Sequence, residues 1–81
     1  MATTGHIYRM SSMFRSHESY PVRRTVTVNS VEADQVHFTC VNDELRWLPT
    51  GQFANQYFDV EGCDLDVDAE IIAARGRLAR Q

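Results

Sequence analysis

Residues 21–60 decide the fold, and they read PVRRTVTVNS VEADQVHFTC VNDELRWLPT GQFANQYFDV. Two parts of this stretch alternate apolar and polar side chains, as half-buried β-strands do. The first part opens at Pro21 and places on one face Val22, Val26 and Val28, opposite Arg23, Thr25 and Thr27. The second part, residues 35–41, places on one face Val36, Phe38 and Cys40, opposite His37 and Thr39. The short separation of the two runs predicts a β-hairpin.

A third strand is predicted after this hairpin. Residues 42–44 (Asn-Asp-Glu) are typical of a turn, and residues 45–48 suit a strand that Pro49 ends, because proline cannot donate to a ladder. The sequence does not assign Trp47 to a face, since either of two pairs could point inward: Leu45 and Trp47, or Arg46 and Leu48.

Shorter elements are predicted on both sides of these strands. Residues 7 and 8 (Ile-Tyr) suit a strand, which leads into a long, serine-rich loop at residues 11–20. Thr50 is predicted to cap a short helical turn that carries the rings of Phe53 and Tyr57 to one end of the fold. A last strand is predicted at residues 57–60.

The composition changes after Gly62, where acidic residues precede a helical pattern. Asp66 or Asp68 is predicted to cap a helix from Ala69 to about Ala79. Its apolar stripe is thin and consists of Ile71, Ala74 and Leu78. Such a helix must pack against the strands, pack against a partner, or fray.

These elements predict a mainly β fold: a small antiparallel SH3-like β-barrel of four to five strands with one C-terminal helix. The barrel and its long 11–20 loop are expected in residues 1–62, and the acidic linker and helix in residues 63–81. Barrels of this size have filled interiors, so activity is expected on loops and outer faces.

Length and composition exclude several classes of protein. With 81 residues and 43% apolar side chains, the chain predicts one domain with a packed core. It has no apolar run of the ~20 residues that span a membrane, and no secretory signal in residues 1–10, so a cytoplasmic protein with reduced cysteines is expected. The net charge of −3 disfavours broad affinity for nucleic acid.

No catalytic residues, metal site or cofactor are predicted. Residues 16–19 (Ser-His-Glu-Ser) are adjacent in a loop, whereas a nucleophilic triad is assembled from distant positions. The calcium-like run from Asp64 to Asp68 has Ala69 and Arg75 where glycine and a bidentate glutamate are required. The nitrogen and sulfur ligands that zinc would need lack its usual spacing: His6, His17, His37, Cys40 and Cys63.

One set of residues is kept as a candidate binding surface. Arginine side chains beside aromatic rings can stack on bases or hold an acidic partner. The candidates are Tyr8, Arg9, Tyr20, Arg23, Arg24 and Trp47. The competing interpretation places Arg23 on a solvated strand face, Trp47 in the core and the tyrosines at the barrel rim.

The order of elements also resembles that of a known group of proteins. The segments that carry the resemblance are GHIYR (5–9), VTV (26–28), QVHF (35–38), Leu48-Pro49, Phe53 and Phe58. They resemble small SH3-like barrel proteins encoded by phages, prophages and plasmids. The resemblance implies a non-enzymatic binding module and transfers no site residues.

The leading hypothesis is therefore a small non-enzymatic protein-interaction module, such as a phage or mobile-element accessory factor that binds a host protein. The alternative is a nucleic-acid-binding barrel that uses Arg9, Arg23 and Arg24. A homodimer through the C-terminal helix is a further expectation, and no membrane partner is expected.

Overall fold

A computed structural model describes residues 2–61 and 68–79 of the chain. Within these residues the fold is mainly β, with one sheet and three helices. The strands are β1 (Ile7–Met10), β2 (Thr25–Glu32), β3 (Gln35–Thr39), β4 (Leu45–Pro49) and β5 (Tyr57–Asp59). The helices are α1 (Tyr20–Arg23), α2 (Thr50–Gln56) and α3 (Ala69–Ala79), and one 3₁₀ turn lies at Ser12–Phe14.

The sheet is antiparallel and has the strand order β4-β3-β2-β1-β5. The predicted hairpin is β2 and β3, which turn at Ala33 with a positive φ of 49°. Among the described strands no ladder joins β4 to β5, so the sheet is open and the predicted barrel closure is not found. The mainly β fold with a C-terminal helix is confirmed.

The inner face of the sheet carries the main core. The inward side chains predicted from the alternation, Val26, Val28, Val36 and Phe38, are all buried. Phe53 of α2 completes this core, and its ring contacts those of Tyr8, Phe38 and Tyr57 at centroid distances of 5.2, 5.6 and 4.6 Å. The short helix therefore closes one end of the inner face with aromatic rings.

The predicted start of the first long strand at Pro21 is wrong. Pro21 lies in the first turn of α1, where its fixed φ suits the helix and its missing N–H group breaks no hydrogen bond. The strand begins at Thr25, so Val22 is not on the same strand as Val26, although it packs against the same core. The predicted 11–20 loop contains the 3₁₀ turn and ends where α1 begins.

Thr50 is not the cap of α2, as the sequence predicted. Pro49 occupies the cap position without a side-chain bond, and Thr50 is the first helical residue. The Thr50 N–H group donates instead to the carbonyl of Asp34 at 2.9 Å, in the turn between β2 and β3. This bond ties the start of α2 to the neighbouring hairpin.

The helix α3 has the predicted bounds and packs on the outer face of the sheet. Ile71 and Ala74 are fully buried against Ile7 and Val60, with Leu78 packed beside them. The carboxylate of Asp68 caps the helix by accepting the Glu70 N–H at 2.9 Å. The other candidate cap, Asp66, lies outside the described residues.

Thr25 and Thr27 are buried by the packing of α3 on the outer face of the sheet. Their side chains belong to the polar face of the alternating strand, yet they are 0% and 4% exposed. They are buried because α3 covers the outer face of β1 and β2, which a pattern read from one strand cannot indicate. The outer face of β1 and β2 is therefore part of the core, whereas the outer face of β3 and β4 is not covered by α3.

Candidate functional site

The exposed part of the outer face of the sheet lies on β3 and β4. The register of the two strands pairs His37 with Trp47 and Thr39 with Leu45, so these side chains project together. Trp47 is 50% exposed and Leu45 is 74% exposed. The surface formed by Asn29, His37, Thr39, Leu45 and Trp47 is called the Trp47 face below.

Cross-strand contacts organise this surface. The His37 and Trp47 rings are stacked, with centroids 6.4 Å apart and planes 29° from parallel. The Asn29 side-chain amide donates to the Thr39 hydroxyl at 2.8 Å. A shallow groove of about 190 Å³ runs between Asn29, His37, Leu45 and Trp47. Aromatic and apolar atoms thus line a depression whose rim offers hydrogen-bonding groups.

The sequence did not decide on which side of β4 Trp47 lies, and the position of Leu48 decides it. Leu48 is the β4 side chain that packs against the core, while Leu45 and Trp47 point outward. Arg46 has an ion pair with Glu44 at 2.5 Å. The interpretation that placed Trp47 in the core is therefore wrong.

The strand β4 is also an edge of the sheet, and β3 is its neighbour. The N–H group of Cys40 donates to the Glu44 carbonyl at 2.9 Å. Hydrogen bonds alternate along an antiparallel pair, so the backbone N–H and C=O groups of Leu45 and Trp47 point away from β3. The edge therefore presents unpaired backbone groups beside the most exposed apolar side chains of the strand.

The side chains of Arg9 and Arg24 form ion pairs at the start of α3 and do not lie on the Trp47 face. Arg9 Nη1 is 3.0 Å from Asp68 Oδ2. Arg24 donates from Nε to Glu70 at 2.5 Å, and the Thr25 hydroxyl donates to the same carboxylate at 2.6 Å. Both guanidinium groups are thus neutralised by acids of the helix.

The two candidate tyrosines belong to the interior. Tyr8 is 6% exposed, and its hydroxyl accepts the Thr3 N–H at 2.9 Å. Tyr20 is half-buried and packs against the main core. Arg23 ends α1 and, unlike Arg9 and Arg24, has no ion pair with a described acid. The six residues predicted as one arginine and aromatic surface are therefore not brought together, since Tyr8 and Arg9 lie on opposite faces of β1.

Hydrogen bonds to α3 lower the pKa of two carboxyl groups. Burial alone would raise the pKa of Glu70, but the bonds from Arg24 and Thr25 outweigh it and hold the pKa below its ordinary value. Burial would also raise the pKa of Asp68. The hydrogen bonds from Arg9 and from backbone N–H groups of the helix outweigh this effect and hold the pKa below its ordinary value. Both acids are therefore bound in their charged form.

The stability of the protein is expected to fall at acid pH because of these two groups. A group with a lowered pKa stabilises the fold fully above its ordinary pKa, here 4.5 for Glu70 and 3.8 for Asp68, and loses that effect as the pH falls through its folded value. Urea unfolding followed by circular dichroism should show this loss. Glu70→Gln should cost about 1–2 kcal/mol near neutral pH and flatten the acid dependence.

Glu61→Gln is the matched control for that experiment. The pair of Glu61 with Arg75 is 38% exposed on each side, so its loss should change the free energy of unfolding by less than about 0.5 kcal/mol. Equal stability and equal acid dependence in Glu70→Gln and the native protein would contradict the role assigned to Glu70.

The residues considered for metal binding are not gathered into a site. Within residues 2–61 and 68–79, no group of three histidine, cysteine, aspartate or glutamate side chains is placed to hold a metal ion. Cys40 is buried in the core, and burial raises the pKa of its thiol, while His37 points to the opposite face. Cys63 and the first acids of the calcium-like run lie outside the described part of the chain.

Sequence reasoning named Trp47 and placed Leu45 on the same side of the strand, but it did not identify His37 as the cross-strand neighbour of Trp47. The predicted turn at residues 42–44 carried the signal for His37. A hairpin that turns at these residues places His37 opposite Trp47. Of the helices in the described ranges, none has the length and apolar character to cross a membrane. Comparisons with protein-family models, curated proteins and solved structures find no match to this chain.

Proposed function

We propose that the chain is a small non-enzymatic protein-interaction module that binds a protein partner through the Trp47 face. The observation that carries the proposal is the exposure of Trp47 and Leu45, side by side on an edge strand and stacked against His37. Tryptophan in a central groove is the residue type that contributes most to protein interfaces when it is buried by a partner.

The edge of β4 suggests how the partner binds. An extended segment can add to a free sheet edge through its backbone, with alternate side chains against the surface beside that edge. Leu45 and Trp47 would supply both the backbone groups and the apolar surface. Pro49 would limit such a strand to a short one, since it has no N–H group to donate.

We further propose that the sheet is SH3-like and that the protein is a phage or mobile-element accessory factor that acts on a host protein in the cytoplasm. The support for this is the strand order, the short helix α2 between β4 and β5, and the sequence resemblance given above. A homodimer through α3 has less support, because Ile71 and Ala74 of its apolar stripe are already buried on the sheet.

Nucleic-acid binding through Arg9, Arg23 and Arg24 is also less supported. Two of these guanidinium groups already lie against Asp68 and Glu70, and the net charge is −3. We expect no oligonucleotide binding even at low salt. Binding that falls steeply with salt and is abolished by the double variant Arg23→Glu, Arg24→Glu would favour this second function instead.

Capture from a lysate of native host cells tests the proposed function. The tagged native chain should retain a specific protein that the double variant Leu45→Ser, Trp47→Ser does not retain. Loss of a buried tryptophan anchor should weaken such a complex by more than about tenfold. Purified partner and titration calorimetry would give that factor.

Met13→Ser is the matched control. Met13 is 76% exposed but lies on the 3₁₀ turn, away from the Trp47 face, so this variant should retain the partner at native strength. Circular dichroism should show that all three proteins are folded. Retention of the same proteins by the native chain and the double variant, or retention of none, would contradict the proposal.

A further inference from the structure

A second pocket lies between the segment that follows β1 and the helix α2. Its volume is about 150 Å³, and it is lined by Met10, Phe14, His17, Arg23, Gln52 and Gln56. None of these residues lines the groove of the Trp47 face. Met10 and Phe14 connect the pocket to the main core and give it an apolar floor. The other four side chains give it a polar wall.

Among the arginines of the described residues, Arg23 is partly buried and has no ion pair, whereas Arg15, which also has none, is exposed. Five others, Arg9, Arg24, Arg46, Arg75 and Arg77, each have an ion pair with an acid. Arg23 has none, and its Nε is buried without a hydrogen bond to any described residue. The guanidinium charge of Arg23 is therefore not matched by an acid among the described residues.

The position of Arg23 is fixed by its backbone. Its carbonyl accepts the Tyr57 hydroxyl at 2.8 Å, and its N–H group donates to the Ser19 carbonyl at 3.0 Å. The side chain therefore extends from an anchored point at the end of α1 into the wall of the pocket.

His17 adds a second donor. The Ser19 N–H donates to His17 Nδ1 at 3.2 Å, so Nδ1 is an acceptor and the proton of the neutral ring lies on Nε2. Gln52 and Gln56 are four residues apart on α2 and so share one face, where their amides can also donate. The polar wall is therefore one of donors and a cation, with no carboxylate among the lining residues.

We propose that this pocket binds a carboxylate group attached to a short apolar body. The guanidinium of Arg23 would form charge-assisted hydrogen bonds with the carboxylate, and Met10 and Phe14 would contact the apolar part. The volume equals about five water molecules, which admits a group the size of one small acylated amino acid. A phosphate fits less well, because its oxygens would be buried against the apolar floor.

Two sources can supply this chemistry: a free small carboxylic acid, or the C-terminal carboxylate of a peptide. N-acetylglycine is the probe for the first, and a short peptide that ends in a free glycine is the probe for the second. Binding of N-acetylglycine alone would assign a small molecule, and tighter binding of the peptide would assign a chain terminus. N-acetylglycinamide, which lacks the charge, is the matched neutral probe.

Nuclear magnetic resonance titration of the ¹⁵N-labelled full chain tests the proposal. N-acetylglycine should shift the side-chain signals of Arg23, Gln52 and Gln56, and the neutral probe should not. Arg23→Gln should weaken binding by roughly tenfold to a hundredfold. Arg15→Gln is the control and should leave binding unchanged, since Arg15 is exposed and does not line the pocket.

Several results would overturn the proposal. They are shifts of equal size with the neutral probe, equal weakening by Arg15→Gln and Arg23→Gln, tighter binding of inorganic phosphate than of N-acetylglycine, and no shift with either carboxylate. The double variant Leu45→Ser, Trp47→Ser should bind N-acetylglycine as the native protein does. Failure of this site and failure of the Trp47 face are therefore distinguishable.

Discussion

Phe53→Ala is expected to lower the free energy of unfolding by about 3–5 kcal/mol. The Phe53 ring is 2% exposed and contacts the rings of Tyr8, Phe38 and Tyr57, so its removal leaves a cavity among three aromatic side chains. A chain of 81 residues has a total stability of only about 4–12 kcal/mol, so the loss is a large fraction of the total. Urea unfolding followed by near-ultraviolet circular dichroism would measure the change.

Phe58→Ala is the matched control for Phe53→Ala. Phe58 is 41% exposed on the edge strand β5, so the same chemical change should cost less than about 1 kcal/mol. Similar losses for the two variants would contradict the assignment of α2 as the element that closes the inner core.

Ile71→Ala is expected to lower the free energy of unfolding by about 2–5 kcal/mol. Ile71 is fully buried between α3 and the outer face of the sheet, where it contacts the cluster of Ile7 and Val60. Its loss weakens the apolar contact that holds α3 over Thr25 and Thr27. Chemical unfolding would measure the stability, and amide hydrogen exchange would show whether α3 opens more readily than the sheet.

Ile72→Ala provides a control at the adjacent position of the same helix. Ile72 is 54% exposed, and alanine favours helices, so the free energy of unfolding should change by less than about 0.5 kcal/mol. Equal effects at the two positions would mean that α3 does not bind the sheet through the predicted stripe. The comparison separates docking of the helix from its intrinsic stability, because both isoleucines have the same helix propensity.

Local patterns are enough to predict the hairpin and α3. The alternation of residues 35–39 requires a strand with one buried face, and the spacing of Ile71, Ala74 and Leu78 requires a helix with one buried stripe. These patterns are properties of single elements, because each follows from the backbone period of that element. The structure confirms both, with α3 beginning and ending where predicted.

The arrangement of the elements depends on contacts that no single element encodes. Thr25 and Thr27 are polar in the pattern of their strand, yet α3 buries them from more than forty residues away along the chain. Pro21 suits either the first residue of a strand or the first turn of a helix, and only the surrounding structure selects the helix. Closure of a barrel likewise requires hydrogen bonds between β4 and β5, which lie at opposite ends of the sheet.

The candidate binding residues were only partly predictable for the same reason. Trp47 could be named as a candidate, but its exposure follows from Leu48 occupying the core side of β4. The pairing of Arg9 and Arg24 with acids of α3 could not be read from the sequence, since it depends on where the helix docks. The sequence shows acidic residues before the helical pattern, but it does not show which arginines they meet in the folded chain.

Quenching of the single tryptophan by acrylamide, in the free protein and with the captured partner bound, is the most direct test of the Trp47 face. Trp47 is the only tryptophan in the chain, so its fluorescence reports on this surface alone. We expect ready quenching in the free protein, where the side chain is 50% exposed, and strong protection in the complex. A tryptophan already shielded in the free protein, or one quenched equally at saturating partner, would contradict the proposed binding surface.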